Sequence, residues 1–191
     1  MKTDTFNLKK TSLLLATCLC LHAAPSAFYI ELDAGVSIDD TLEVKDFTYT
    51  FKQGLLSSFA LGYQADTFRF EIQERYKKDS LHSISSGDSL SVSANGDLVT
   101  HSQMLNFYYS GYNHSKLIST IGLGVGISAI KVGDNIDESS IFSTQASFSV
   151  GYKMSKSFIL STKYAYFYTL EKNLLEANGS NNITLGLRYL F

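Results

Sequence analysis

Histidine, serine and a carboxylate within one short span are the raw material of ester hydrolysis. A serine hydroxyl becomes a nucleophile only when a base takes its proton and a third group orients that base. His101 and Ser102 are adjacent here, with Asp79 and His82 before them across a polar stretch. Neighbouring side chains in an extended segment point to opposite faces, so His101 cannot reach the Ser102 hydroxyl within its own strand. The His-x-Ser spacing that would put both on one face occurs at none of His82, His101 or His114. No catalytic residue is expected, and these are read as polar loop positions. Gly122-Leu-Gly-Val-Gly126 has the glycine density of a phosphate loop. A dinucleotide fingerprint, however, needs a third glycine three residues after the second, opening a helix. These glycines keep a two-residue period, which suits small residues on one strand face making room for a bulky side chain opposite, with Tyr108 as the candidate. The carboxylates are scattered, and no Asp-rich loop has the spacing of a calcium site. Neither a metal nor a cofactor is expected.

The elements that carry these residues read as strands. From Phe28 to Ile38 the even positions are Phe28, Ile30, Leu32, Ala34, Val36 and Ile38, and the odd ones are Tyr29, Glu31, Asp33, Gly35 and Ser37. That length fits a tilted strand crossing of a bilayer. Similar alternation predicts strands over 54–63 (with a blurred start near Tyr49), 68–76, 100–112, 117–131, 142–152, 158–168 and 182–191. Glu74 is an exception on the apolar face of the third. The count is even, and connections alternate between short (near 64, 114 and 155) and long (39–48, 78–99, 132–140 and 171–181). No helical repeat or second domain is left over.

The amino terminus has its own signature. Lys2, Lys9 and Lys10 precede an apolar run from Leu13 to Leu21 and the small residues Ala23-Ala24-Pro25-Ser26-Ala27. This predicts a signal peptide over 1–26 with cleavage within 23–27, leaving 27–191 as a single domain. Both cysteines, Cys18 and Cys20, fall inside that leader. Leu15-Ala16-Thr17-Cys18 is a poor lipidation site because Thr17 is not the expected small residue. Without disulfides, stability must come from a core, a partner or a membrane.

Charge decides which face meets water. The chain has 16 Lys and Arg against 18 Asp and Glu, a balance of −2 that argues against nucleic acid. If the apolar face were internal, the outer surface of the fifth and sixth strands would be Ser, Gly and Thr with few charges, a poor soluble exterior. If it is external, Glu31, Asp33, Arg69, Glu71, Arg75, Lys163 and Arg188 converge in a narrow lumen where opposite charges pair, with Glu31 or Asp33 beside Arg188 across the closing seam. The mean hydropathy of +0.01 suits a barrel whose strands are half apolar and half polar. Tyr63, Tyr76, Tyr109, Tyr152, Tyr164 and Tyr168 are candidates for interfacial aromatic belts.

The strand pattern, the leader and the ending Leu185-Gly186-Leu187-Arg188-Tyr189-Leu190-Phe191 resemble the small bacterial outer-membrane barrels of the opacity-protein, OmpX and OmpA-barrel type. The resemblance implies an all-β, eight-stranded antiparallel up-and-down transmembrane β-barrel, surrounded by outer-membrane lipid and lipopolysaccharide, with both termini in the periplasm. It also implies that Leu185, Leu187, Tyr189 and Phe191 form the signal read by the barrel-assembly machinery.

Eight strands leave room for side chains and not for a solute channel. The expected role is structural and interactive, as a surface antigen or adhesin whose four long loops meet a host or neighbouring-cell ligand. A narrow ion-conducting pore and a lipid A-modifying enzyme are the alternatives. The loops carry an acidic crown, Asp39, Asp40, Glu43, Asp46, Asp79, Asp88, Asp97, Asp134, Asp137, Glu138, Glu171 and Glu176 against Lys45, Lys77, Lys78, Lys131 and Lys172, which argues against polyanion adhesion. Glu176-Ala177-Asn178-Gly179-Ser180 has the form of an acidic-extended N-glycosylation acceptor.

Overall fold

The computed structural model describes residues 26–39, 42–44, 47–51, 53–86, 90–93, 97–112, 116–132, 136–170 and 177–191. Residues 1–25, on which most of the expected leader 1–26 falls, and parts of each long connection lie outside these. Every described element is a strand: β1 Ser26–Asp39, β2 Leu42–Val44, β3 Phe47–Phe51, β4 Gly54–Ala65, β5 Phe68–Ser86, β6 Leu90–Ser93, β7 Asp97–Tyr112, β8 Leu117–Val132, β9 Ile136–Lys153, β10 Phe158–Thr169 and β11 Asn178–Leu190. β2, β3 and β6 sit off the ring, and the other eight pair in chain order, all antiparallel, with β1 joined to β11 and β5 to β7. The sheet closes on itself, so no stave keeps an unpaired edge, the condition a sheet must meet in hydrocarbon.

Following partners around the ring from Tyr29 through Gly62, Glu71, Asn106, Gly124, Gln145, Phe167 and Ser180 returns to β1 at Asp39, a stagger of 39 − 29 = 10 residues. With this stagger the strands tilt by about 40° and the bore is just wide enough to be filled by side chains. Two ends can be distinguished. The turn end holds Asp66-Thr67, the bend at 154–157 and both described termini, Ser26 and Phe191. Asp66 takes a left-handed φ of 51°, which its short polar side chain tolerates, so two residues suffice to reverse the chain. The Phe191 amide donates to the Phe28 carbonyl at 3.0 Å, tying the last residue to the first stave.

At the other, loop end the strands run further than their apolar alternation. The stretch 78–99, expected as the longest loop, is largely strand: β5 continues to Ser86, β6 pairs with it, and β7 begins at Asp97. Within 39–48, β2 and β3 form a hairpin whose second strand pairs with β5. β9 begins at Ile136 and β11 at Asn178, inside the other two expected loops. The physical reason is that period-two hydrophobicity records a strand only where one face meets an apolar medium. Beyond that zone the hydrogen-bonded ladder continues without a strict period-two contrast in the sequence.

The burial pattern is inverted relative to a soluble domain. Leu55 at 72% exposed, Leu123 at 68% and Leu185 at 62% face outward, while Glu31, Arg69 and Asp79 are fully buried in the bore. A ring of outward aromatics, Phe28, Tyr63, Phe68, Tyr109, Tyr152, Phe158 and Tyr189, marks the turn end of the apolar belt. Phe28 and Tyr63 (5.1 Å), Phe68 and Tyr109 (5.5 Å), and Phe158 and Tyr189 (5.0 Å) pair across strands. Such a girdle is where amphipathic rings meet the membrane interface. Tyr76 and Tyr168 lie toward the loop end, whereas Tyr164 sits mid-belt and donates to Asn181 Oδ1 at 2.6 Å.

Candidate functional site

The lumen is built in layers by inward positions of every stave. Its centre is Glu31 on β1. Arg188 Nε, one strand away on β11, donates to Glu31 Oε2 at 2.6 Å, Arg69 Nη1 from β5 reaches the same oxygen at 3.4 Å, and Lys163 Nζ from β10 lies 3.0 Å from Oε1. Lys163 also donates to Asp33 Oδ2 at 2.9 Å, and Asp33 accepts a second bond from Ser58. Glu71 takes a neighbouring place with neutral donors: the Tyr29 and Tyr108 hydroxyls at 2.9 and 3.1 Å and the Asn106 amide at 3.1 Å. Three carboxylates thus face three cations, all buried. Buried charge is tolerated where, as at Glu31, counter-charges and hydrogen bonds converge on it.

Aromatic faces complete the cage. The Arg69 guanidinium lies 4.4 Å from the Tyr108 ring centre and 5.5 Å from that of Tyr29, and Arg188 stands 5.0 Å from Tyr29. Tyr108 has room because Gly122 sits opposite, where a Cβ would collide with its ring. Tyr29 is likewise accommodated by Gly62. The glycine run 122–126 is therefore packing space, with Asn106 over Gly124 and Met104 over Gly126.

Above the charged layer, Gln145 donates to Gln73 and Asn106, and Asn106 donates to Gln73. Next comes an apolar layer that the sequence alternation did not single out, Leu56, Met104, Ile130, Ile141, Phe167 and Leu98, all buried in the bore. Arg75 is not part of the Glu31 cluster; its guanidinium lies 4.2 Å from the Phe167 ring centre. The void lined by Lys77, Leu98, Thr100, Ile130, Phe167, Thr169, Asn178 and Ser180 measures about 10 Å³, space for a single water.

Several residues fall elsewhere than expected. Asp79, read as part of the loop crown, is buried in the bore 3.0 Å from Lys77 Nζ, because β5 carries inward parity up to it. His101 points outward and meets the Tyr76 ring edge-on at 4.7 Å, whereas Ser102 points inward and shares a hydrogen bond with Ser128. Asp79, His101 and Ser102 are thus not brought together. Asp97 pairs with Lys78 at 2.8 Å on the rim. Asn178 opens β11 and lines the small void. Asp40, Asp46, Asp88, Asp134, Glu171, Glu176, Lys45 and Lys172 lie outside the described residues, as do the side chains of His82, Asp39, Glu43, Asp137 and Glu138. Leu185, Leu187 and Phe191 are exposed on the outer face, and Tyr189 stacks edge-on against Phe191 at 5.2 Å.

A closed eight-stave ring, an apolar exterior with an aromatic girdle and a charged, filled bore define a transmembrane β-barrel of the small outer-membrane class. Among solved structures, the chain is similar to Neisserial surface protein A, with a TM-score of 0.66 and 17% identity over 88% of this chain and 100% of that one. It also matches Ail, the attachment invasion locus protein of Yersinia pestis, with a TM-score of 0.49 and 13% identity over 85% of this chain and 99% of that one. The N-terminal barrel domain of Pseudomonas aeruginosa OprF matches with a TM-score of 0.44 and 14% identity over 84% and 97%. No family model matches the chain, and no curated protein matches it in sequence.

Proposed function

We propose that this chain is an integral outer-membrane protein whose barrel is a sealed, rigid mount for surface-exposed strands and loops, with interaction rather than transport or catalysis as its role. The turn end and both termini face the periplasm, residues 1–26 are the removed leader, and Leu185, Leu187, Tyr189 and Phe191 are read by the assembly machinery. The observation that carries the reading is the combination of a bore closed by the Glu31 cluster and the Met104–Ile141–Phe167 layer with staves that overshoot the belt at one end only. β5 runs ten residues past Tyr76, its last outward aromatic, and supports β3 and β6 there. Loops on a rigid scaffold are where binding residues concentrate. The acidic side chains of these loops favour cationic partners, or lipopolysaccharide phosphates bridged by divalent cations, over polyanions.

Planar-bilayer recording separates this reading from a pore: the purified protein is expected to give no discrete conductance steps, and reproducible steps would overturn it. Lipid A mass profiles of cells with and without the protein should be identical, since His101 and Ser102 face opposite sides of the wall.

A further inference from the structure

The apolar belt is interrupted at one place. Between the girdle and the loop end, the outward residues of the staves are apolar or hydroxyl-bearing almost throughout. Asn181 is a polar exception, and its side chain is satisfied by Tyr164. On β5 and β7 the outward pairs rising from the girdle are Phe68 with Tyr109, Phe70 with Phe107, Ile72 with Leu105, then Glu74 with Gln103, then Tyr76 with His101. Glu74 and Gln103 are flanked on the adjoining staves by Phe59 and Ile127, both outward and exposed. Glu74 carries the only carboxyl that points outward within the belt among the described residues. Neither Glu74 nor Gln103 has a hydrogen-bond or ion-pair partner among those residues. An outward carboxyl and amide left to lipid are costly, and an ionisable group at such depth marks a contact site by default.

The arrangement is self-complementary. Glu74 and Gln103 are direct cross-strand partners, and with staves tilted by about 40° neighbouring positions differ in depth by only about 3 Å. A two-fold axis along the membrane normal, passing between β5 and β7, sets the carboxyl of each copy against the amide of the other, so that Gln103 Nε2 donates to a Glu74 oxygen twice. The same axis sets Tyr76 against His101. A two-fold contact demands this reciprocity, with one patch supplying both the donor and the acceptor. We propose that the outer face of β5 and β7 is a homodimer interface within the membrane, and that Glu74 and Gln103 are its specificity pair.

Benzoylphenylalanine placed at Leu105, beside the axis, or at Leu185, on the far wall, tests this in outer membranes of cells expressing the full chain. Heat-modifiable gel mobility serves as the check that each variant is folded. Irradiation should yield a dimer band from position 105 and not from 185. Glu74→Leu should lower that band about ten-fold, through loss of two hydrogen bonds at an apolar interface. Gln103→Glu, which removes the amide donor, should lower it similarly, and adding Glu74→Gln to that variant should restore it by exchanging the two roles. Equal crosslinking at 105 and 185, no dimer at 105, or no recovery in the exchanged pair would each overturn the proposal. So would folded Glu74→Leu protein that keeps its dimer band but retains less lipopolysaccharide on extraction, which would assign the patch to lipid.

Discussion

At the residue scale, Glu31 organises the bore because three cations from three staves converge on it. Replacing it by the near-isosteric Gln leaves Arg69, Lys163 and Arg188 buried with most of their counter-charge gone. Removing one member of a buried ionic network costs about 3–5 kcal/mol. Glu31→Gln should therefore lower the urea midpoint of unfolding from lipid vesicles by that equivalent. Asp33→Asn should cost less, since Lys163 keeps Glu31 as a partner. Gly122 offers a test of packing instead of charge. Gly122→Ala pushes a methyl into the Tyr108 ring, an overpacking cost of about 1–3 kcal/mol. Combined with Tyr108→Leu, the two losses should sum to less than their separate values, because the clash disappears with the ring. Parity along each strand was enough to place Glu31, Asp33, Arg69, Glu71, Lys163 and Arg188 on one side of the wall. Closure of the sheet puts Arg188 beside Glu31, but that Arg69 and Lys163 also reach it is not readable from any one strand. Lys163 reaches Glu31 past the intervening β11, a contact set by the ten-residue stagger, which no local pattern encodes.

At the element scale, the legible part of each strand is the part that crosses the belt. There one face meets apolar medium and the other meets the bore, so hydrophobicity alternates and boundaries can be read, as in β1 and β10. The overshoot of β5 to Ser86 and the short β2, β3 and β6 carry no such contrast, so the pattern reads Asp79 as loop although it lies buried in β5. The inward apolar residues Leu56, Met104, Ile141 and Phe167 were hidden by a related ambiguity: a filled lumen is polar only on average. The closing strand β11 allows a prediction of its own. Phe191 is 73% exposed, so its side chain contributes little to the finished barrel, although its amide bonds Phe28. Deleting Phe191 should reduce the fraction of newly made chains that reach the folded, heat-modifiable form while leaving the unfolding midpoint of those that do within about 1 kcal/mol, as expected for loss of one exposed hydrogen bond. A large fall in the midpoint would mean that the residue stabilises the folded state itself.

At the scale of the whole molecule, two surfaces are segregated by medium. The outward apolar belt suits lipid rather than water, while the charged bore is shielded from lipid by the wall and filled tightly enough to exclude bulk water. Within that architecture the turn end is compact and the loop end elaborated.

The seam between β1 and β11 joins the earliest and the latest parts of the chain. The strand β11 must be made before the cylinder can shut, and a product cut short before it presents two raw margins that hydrocarbon will not accept. Such a topology amounts to built-in proofreading: a chain that lacks β11 has no way to seal the wall around its charged bore.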